Sequence, residues 1–344
     1  MNIGEKRLKL RLPAEWEQQT AVLLSWPHAR TDWKPILPTI DKVYINLATA
    51  ISQHAVCLIV TPTPERIKKL LHSTEARLSH IKFIKIRPDG IWIRDYGPIT
   101  IIENGRPVHL DAGFNGWGNK YKHKMDDKVN RRLYDSGIFK RNKFRNISMI
   151  LEGGSIECDG QGTLLVTSRC LLNPNRNPQL SKADIEAKLR CAFGIRRILW
   201  LDHGGIKGDD TDSHIDTLAR FAADDTIVYS ACKDRKDCNF NDLHRMQQQL
   251  QSFRTATNKP YKLIPLPWPK PKYDRKGNRM PATYANFLVI NDAVLVPCYN
   301  DNADIAAMNV IAQSFPGRKV YGIDCLPLLI QHGSLHCATM QVKL

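Results

Sequence analysis

The nine residues Gly208–Asp216 read Gly-Asp-Asp-Thr-Asp-Ser-His-Ile-Asp and carry four carboxylates, Asp209, Asp210, Asp212 and Asp216, with one imidazole, His214. Carboxylates this close repel one another unless something positive offsets them. The positive partner is a metal ion or a cationic substrate; the plainer reading is a solvated acidic loop. Three further stretches bring reactive residue types. Ile91-Trp-Ile-Arg-Asp-Tyr-Gly-Pro98 sets Asp95 close to Trp92. A carboxylate beside an aromatic face suits a planar cation, hydrogen-bonded at its edge and held by cation–π contact on its face. Leu151-Glu-Gly-Gly-Ser-Ile-Glu157 runs from a strand straight into Glu152, where the paired glycines let the backbone turn sharply. His332-Gly-Ser-Leu-His-Cys337 holds the cysteine closely preceded by glycine, a hydroxyl and two imidazoles. Polar or cationic surroundings give a thiol the thiolate character a nucleophile needs, whereas an ordinary cysteine is a small buried hydrophobe. The run Leu171–Pro178 is turn-rich and reads as structural.

Together these stretches make a hydrolytic thiol site unusually rich in acceptors. Such a site suits a substrate that only donates, and guanidinium is that group: planar, always charged, with N–H bonds on every side. Carboxylates would grip its nitrogens and leave its carbon to the thiolate, and the bound cation would itself favour the ionised thiol. A metal-dependent hydrolase built on Asp210, Asp212, His214 and Asp216 is the rival chemistry.

The elements that must position these residues alternate along the chain. Apolar spacing predicts a helix over Thr39–Gln53 and a buried strand over Ala55–Val60. A helix at Pro64–Leu71 and a strand at Ile81–Ile86 follow, then a loop over Arg87–Pro98. Asn104-Gly105 predicts a hairpin between Ile99–Ile102 and Pro107–Leu110. Next come a helix at Asp126–Tyr134, strands at Asn146–Leu151 and Gly162–Thr167, and a helix opened by Ser181 and closed by Gly194. Strands at Arg197–Leu201, Thr226–Tyr229 and Tyr261–Leu266 enclose a helix at Phe240–Phe253, and Pro265–Lys276 reads as a loop. A hairpin at Asn286–Val296, a helix at Ala303–Phe315 and strands at Lys319–Ile323 and Cys337–Val342 complete the chain. Strands that follow helices begin near 81, 146, 197, 261 and 319, a repeat of roughly 60 residues. Five units of strand, helix, strand, strand would make a pseudo-symmetric α/β propeller whose loops converge at one end. The unit near 261 carries no reactive cluster of its own. No domain boundary is visible, so residues 1–344 are expected to form a single domain.

The chain has 344 residues, 42% of them hydrophobic, enough for a substantial core. Its net charge of +16 permits nucleic-acid binding. The Lys and Arg are spread through Lys6–Arg11, Lys120–Lys128, Lys140–Arg145 and Lys270–Arg279, however, without a nucleic-acid-binding signature. They are read as general surface charge. Nine cysteines without regular spacing argue against a disulfide framework and for a reducing, cytoplasmic setting. Met1–Pro13 lacks the apolar core of a signal peptide, and no run reaches membrane-spanning length. Neither membrane nor nucleic acid is expected as a partner.

The order RDYGP, EGGSIE, LLNPNRNP, GDDTDSHID and GSLHC, with NFLVINDAVLVPCYND before the last, closely resembles the agmatine deiminases. More broadly it resembles the bacterial peptidylarginine deiminase type of the guanidino-group-modifying pentein superfamily. The likeness runs from about Leu12 to Gln341. It implies a five-bladed α/β propeller and conversion of agmatine to N-carbamoylputrescine and ammonia, a step in putrescine and polyamine biosynthesis. The alternative is a citrulline-forming deiminase of free or peptide-terminal arginine. It further implies Cys337 as nucleophile, His214 as general acid and base, and Glu152 as their proton-handling partner. Asp95 and Asp216 would clamp the guanidinium, with Asp210 and Trp92 in the same pocket. No metal or organic cofactor is implied. Members often pair, so the likeness admits a homodimer. The chain departs from the family at Ser213 and Gln331-His332, where glycines are usual, at Ser334, where asparagine is, and at Met340. These changes lie near the nucleophile and beside His214.

Overall fold

The computed structural model describes residues 10–139 and 142–344. Most of Met1–Pro13 and of the basic run Lys6–Arg11, and Lys140 and Arg141 of the run Lys140–Arg145, lie outside that range. Five small mixed sheets recur along the chain. The first orders its strands Thr339–Val342, Ala21–Ser25, Val56–Thr61 and Ile81–Lys85. The second runs Leu10–Arg11, Ile99–Glu103, Arg106–Gly113 and Lys143–Ile150. The third joins Ile156–Cys158, Thr163–Thr167 and Arg197–Leu201, and the fourth Ala219–Ala223, Thr226–Ser230 and Lys262–Leu266. The fifth joins Leu288–Ile290, Ala293–Cys298 and Lys319–Asp324. Every sheet contains an antiparallel pair and ends in a strand parallel to its neighbour.

Those terminal parallel strands are the ones the roughly 60-residue spacing picks out. Each follows a helix, because a parallel strand needs a crossover. The crossovers are Pro64–His72, Val129–Asp135, Lys182–Phe193, Phe240–Ser252 and Asp304–Ser314. Local chemistry fixes their ends. Ser181 and Asp184 exchange side-chain-to-backbone hydrogen bonds as a capping box, and Gly194 closes the helix at φ 66°. The inner strands of the first sheet are nearly continuous apolar runs: Ala21 to Leu24 and Leu58 to Val60 are fully buried, each large side chain contributing roughly 1.5–3 kcal/mol of transfer free energy. Pairing of Thr339–Val342 with Ala21–Ser25 ties the segment after Cys337 to the start of the chain.

Four local expectations need correction. The loop expected over Arg87–Pro98 contains a helical turn, Ile93–Tyr96, that carries Asp95. The helix expected from Asp126 starts at Val129, since the Asp126 carboxylate is occupied by the N–H groups of Asp89 and Gly90 at 2.7 and 3.1 Å. The loop expected at Pro265–Lys276 includes a short strand, Lys272–Tyr273, paired with Arg279–Met280. The last strand begins at Thr339 rather than Cys337. The Cys337 peptide is used elsewhere: its N–H donates to Asn286 Oδ1 at 3.3 Å, and its carbonyl accepts from the Arg94 N–H at 3.2 Å.

Candidate active site

Asp95, His214 and Asp216 converge on one glycine. A Cβ built on Gly154 would lie 2.7 Å from His214 Nδ1, 2.8 Å from Asp95 Oδ1 and 3.0 Å from Asp216 Oδ2. The glycine is therefore required by a close approach, and the backbone of Gly153–Ser155 becomes part of the site. Asp95 Oδ1 accepts from the Gly154 N–H at 2.9 Å, and its Oδ2 accepts from Trp117 Nε1 at 3.0 Å. Trp117 lies in a run of four left-handed residues, Gly116 to Asn119. For a bulky side chain that conformation is strained, and here it delivers the indole to the carboxylate.

Cys337 closes the same space. Its Sγ lies 3.7 Å from Asp216 Oδ2 and 3.3 Å from Asn286 Nδ2. Asp216 Oδ2 also faces His336 Nδ1 at 2.8 Å, and His336 Nε2 faces Glu15 Oε2 at 2.7 Å. Behind them Glu15 pairs with Arg220 at 3.0 Å, and Arg220 with Glu157 at 2.7 Å. Glu152 is fully buried and salt-bridged through Oε1 to Arg176 at 2.9 Å. Glu152, His214 and Cys170 each place a side-chain donor atom within 4.8 Å of the others.

Several of these buried polar atoms lack a hydrogen-bond partner: Glu152 Oε2, both ring nitrogens of His214, whose Nδ1 lies 3.6 Å from Asp95 Oδ1, and Asp216 Oδ1. Buried polar atoms are nearly always hydrogen-bonded, so such a concentration marks a place where something else binds.

The charges follow. Burial pushes the Asp95 carboxyl up to about 6, with Asp216 and Glu152 adding to the rise and His214 opposing it. Burial alone would raise Asp216, but its hydrogen bond and charge interaction with His336 hold it below its usual value. Burial would depress His214, yet Asp95, Cys170 and Glu152 raise it well above the ordinary range. Cys337 is pushed well up by burial and then by Asp216 and Asp95, so without a cation the thiol keeps its proton.

A cavity of about 460 Å³ leads from the surface to this cluster and is lined by Asp95, Trp92, Trp117, Asp210, His332 and Cys337, among others. His214, Glu152 and Asp216 stand just behind its wall. Asp210 sits at the rim, where it accepts from Tyr121 Oη at 2.7 Å. Trp92 forms the opposite wall, packed edge-on against Trp33. A Cβ on Gly333 would come within 2.5 Å of the Trp92 ring.

The acidic stretch thus disperses rather than forming one cluster. Asp209 accepts from the Thr211 hydroxyl and the Ser213 N–H at 2.6 and 2.7 Å. Asp212 takes Lys120 at 2.9 Å and also pairs with Arg176. Among the described residues, Asp210, Asp212, His214 and Asp216 do not converge as metal ligands: Asp210 is turned to Tyr121, Asp212 to Lys120 and Arg176, and Asp216 to His336.

Sequence reasoning missed five contributors. Asn286 comes from the segment after the fourth sheet, the unit expected to bring nothing. Arg176 lies in the run read as structural and neutralises Glu152. Lys120, read as general surface charge, lines the cavity. Trp117 and His336 complete the set. The signal for His336 was present in the two imidazoles before Cys337; Asn286 had none beyond the quoted motif.

The sequence profile of the Porphyromonas-type peptidyl-arginine deiminases matches residues 11–342. An agmatine deiminase of Pseudomonas aeruginosa (strain LESB58) is 29% identical, the match covering 96% of this chain and 95% of the relative. A C. jejuni agmatine deiminase, solved as a cysteine-to-serine variant with substrate bound, superposes with TM-score 0.90 at 38% identity over 97% of this chain and 96% of its own. A Porphyromonas gingivalis structure with a provisional arginine deiminase name gives TM-score 0.92 at 44% identity over 96% and 98%. The mixed α/β fold is shared with these deiminases.

Proposed function

The chain belongs to the Porphyromonas-type peptidyl-arginine deiminase family, and from that premise we propose that it hydrolyses the guanidinium of agmatine to N-carbamoylputrescine and ammonia. The observation that carries this reading is a deep cavity with the Cys337 thiol at its floor, walled by buried carboxylates that lack enough protein cations. In this reading residues 1–344 act as a single catalytic domain. The five sheets stand as blades of a pentein propeller, their loops meeting at the cavity. With all nine cysteines unpaired, the setting is a reducing cytoplasm.

Asp95 and Asp216 take the N–H edges of the guanidinium. Asp210 at the rim meets the substrate's far amine, and Trp92 lies along its flat face. The bound cation offsets the two carboxylates that raise the Cys337 thiol, so substrate binding itself favours the thiolate. The thiolate adds to the guanidinium carbon. His214 gives its proton to a departing nitrogen, the C–N bond breaks, and ammonia leaves an amidino group on sulfur. Water then attacks the same carbon and His214 takes its proton. The C–S bond breaks as the added hydroxyl gives its remaining proton to solvent, returning the thiolate and releasing the ureido product. Glu152, held by Arg176, supports the charged imidazole.

A second reading, deimination of free or peptide-terminal arginine, draws on Arg30 and Lys122, which line the same cavity and suit a substrate carboxylate. Ureido-product formation from agmatine, arginine and a peptide ending in arginine, with chelator present, separates the two. Turnover of agmatine that disappears in Cys337→Ala is expected. Turnover of arginine or peptide in its place would keep the chemistry and transfer the substrate. Turnover unaffected by Cys337→Ala would overturn the thiol mechanism.

A further inference from the structure

Cys170 has no part in that reaction, yet it lies against its acid–base group. It sits on the helical turn Ser168–Leu171, directly after the strand Thr163–Thr167 of the third sheet, and is fully buried. Among the described residues, Glu152, Cys170 and His214 form the one group of potential metal ligands close enough to share an ion, their donor atoms within 4.8 Å of one another. Independently, Glu152 Oε2 and both His214 nitrogens are buried and have no hydrogen-bond partner. Arg176 occupies only Oε1 of Glu152, which leaves Oε2 without a partner.

We propose that Glu152, Cys170 and His214 form an inhibitory site for a thiophilic divalent cation such as Zn²⁺. One nitrogen, one sulfur and one oxygen are a borderline-soft set that selects zinc or cobalt over magnesium or calcium. Ligands at about 2.0–2.3 Å from a tetrahedral ion stand roughly 3.3–3.8 Å apart, so the trio must draw in by at most about 1–1.5 Å from the 4.8 Å within which its donor atoms lie. The fourth position is open to water. Binding displaces the thiol proton of Cys170, and the extra imidazole proton where His214 carries one, while the metal–sulfur and metal–nitrogen bonds form. One proton leaves, or two where His214 is charged, and the thiolate offsets part of the ion's charge. Binding therefore tightens as pH rises. An ion held there takes the lone pair His214 needs for proton transfer, so the enzyme stops. The cost to the reaction rests on the role assigned to His214 above; the binding does not.

The test titrates Co²⁺ and Zn²⁺ into the purified full chain without substrate. Cobalt should produce a near-ultraviolet thiolate-to-metal charge-transfer band that is displaced by zinc, persists in Cys337→Ala and vanishes in Cys170→Ser. Cys170→Ala serves if the serine variant does not fold. In turnover assays zinc should inhibit reversibly and a chelator restore the rate. Cys170→Ser should raise the inhibitory zinc concentration roughly tenfold or more, inhibition being read against that variant's own metal-free rate. A band or an inhibition that follows Cys337 instead of Cys170 overturns the site, as does the absence of any band. Full agmatine turnover with no band removes the site and keeps the function; a Cys170-dependent band without turnover does the reverse.

Discussion

The floor of the cavity and its rim use the same residue types in opposite ways. Towards the rim, the acidic stretch is already partnered: Asp210 accepts from Tyr121, Asp212 holds Lys120 and Arg176, and His332 Nδ1 lies 2.7 Å from the Gly208 carbonyl. At the floor, Glu152, His214 and Asp216 are fully buried and keep atoms with no partner. Unpaired polar atoms cost far more in a dry interior than at a surface. The protein carries that cost only where a bound cation can recover it. The rim is thus a satisfied polar surface that filters what enters, and the floor is an incomplete one that the substrate completes.

The sharpest way to break this comparison is Asp95→Asn. Removing a floor carboxylate should lower kcat/KM by roughly 10²–10³-fold, and a smaller loss would mean the floor is not completed by a cation. The same variant tests the electrostatics through pH. The folded carboxyl sits at about 6, above its unfolded value, so between those two values the folded state binds more protons. As pH falls through about 6, Asp95 takes a proton and the fold is relieved of an uncompensated charge; as pH rises, that relief is lost. Wild type should therefore gain about 1 kcal/mol of stability relative to Asp95→Asn between about pH 7 and about pH 5. Over the same window its kcat/KM should fall, because a neutral Asp95 no longer attracts the guanidinium. Thermal unfolding of both proteins and a pH–rate profile check the opposed trends. Wild-type stability that falls relative to Asp95→Asn on acidification would mean that Asp95 is not the raised group.

At the rim the expected effect is smaller. Asp210→Asn keeps the shape and weakens only a partly exposed charge, so KM for agmatine should rise roughly tenfold with kcat nearly unchanged. A fall in kcat as large as that of Asp95→Asn would erase the distinction between floor and rim.

How much of this was legible in the sequence follows the same division. Floor residues announce themselves because buried chemistry needs rare combinations: Glu152 before two glycines, His214 and Asp216 in one stretch, Cys337 after two imidazoles. The five crossover strands were legible because the helix-to-strand change of apolar period recurs at near-constant spacing. The partners were not. Asn286 and Arg176 are ordinary polar residues until the fold brings one beside Cys337 and the other against Glu152. Lys120 looked like any surface lysine because pairing with a residue more than ninety positions away leaves no local trace. Asp209 and Asp212 misled for the converse reason. They share a stretch with His214 and Asp216, but the turn at Asp212 and Ser213, both at positive φ, sends neighbouring side chains to different partners.

That turn supplies the finest division, between two positions where the family favours glycine. His332 and Ser213 both have left-handed backbones, at φ 66° and 68°, which explains the family's preference: a side chain there costs about 1–2 kcal/mol. His332 offsets the cost, since its ring faces the Gly208 carbonyl and lines the cavity. Ser213 is anchored through its backbone, its N–H donating to Asp209 and its carbonyl accepting from Thr167. Glycine would preserve both bonds. Ser213→Gly removes the strain but gives the unfolded chain more freedom, worth about 0.5–1 kcal/mol in the other direction. The balance is a gain of roughly 0.5 kcal/mol, read as a small rise in Tm, with kcat/KM unchanged. His332→Gly relieves the same strain while losing the contact with Gly208, so it should gain no stability and should change KM. If Ser213→Gly destabilised the protein instead, the serine would be holding the turn beside His214 through its side chain, and the floor would extend one residue further than its unpaired atoms indicate.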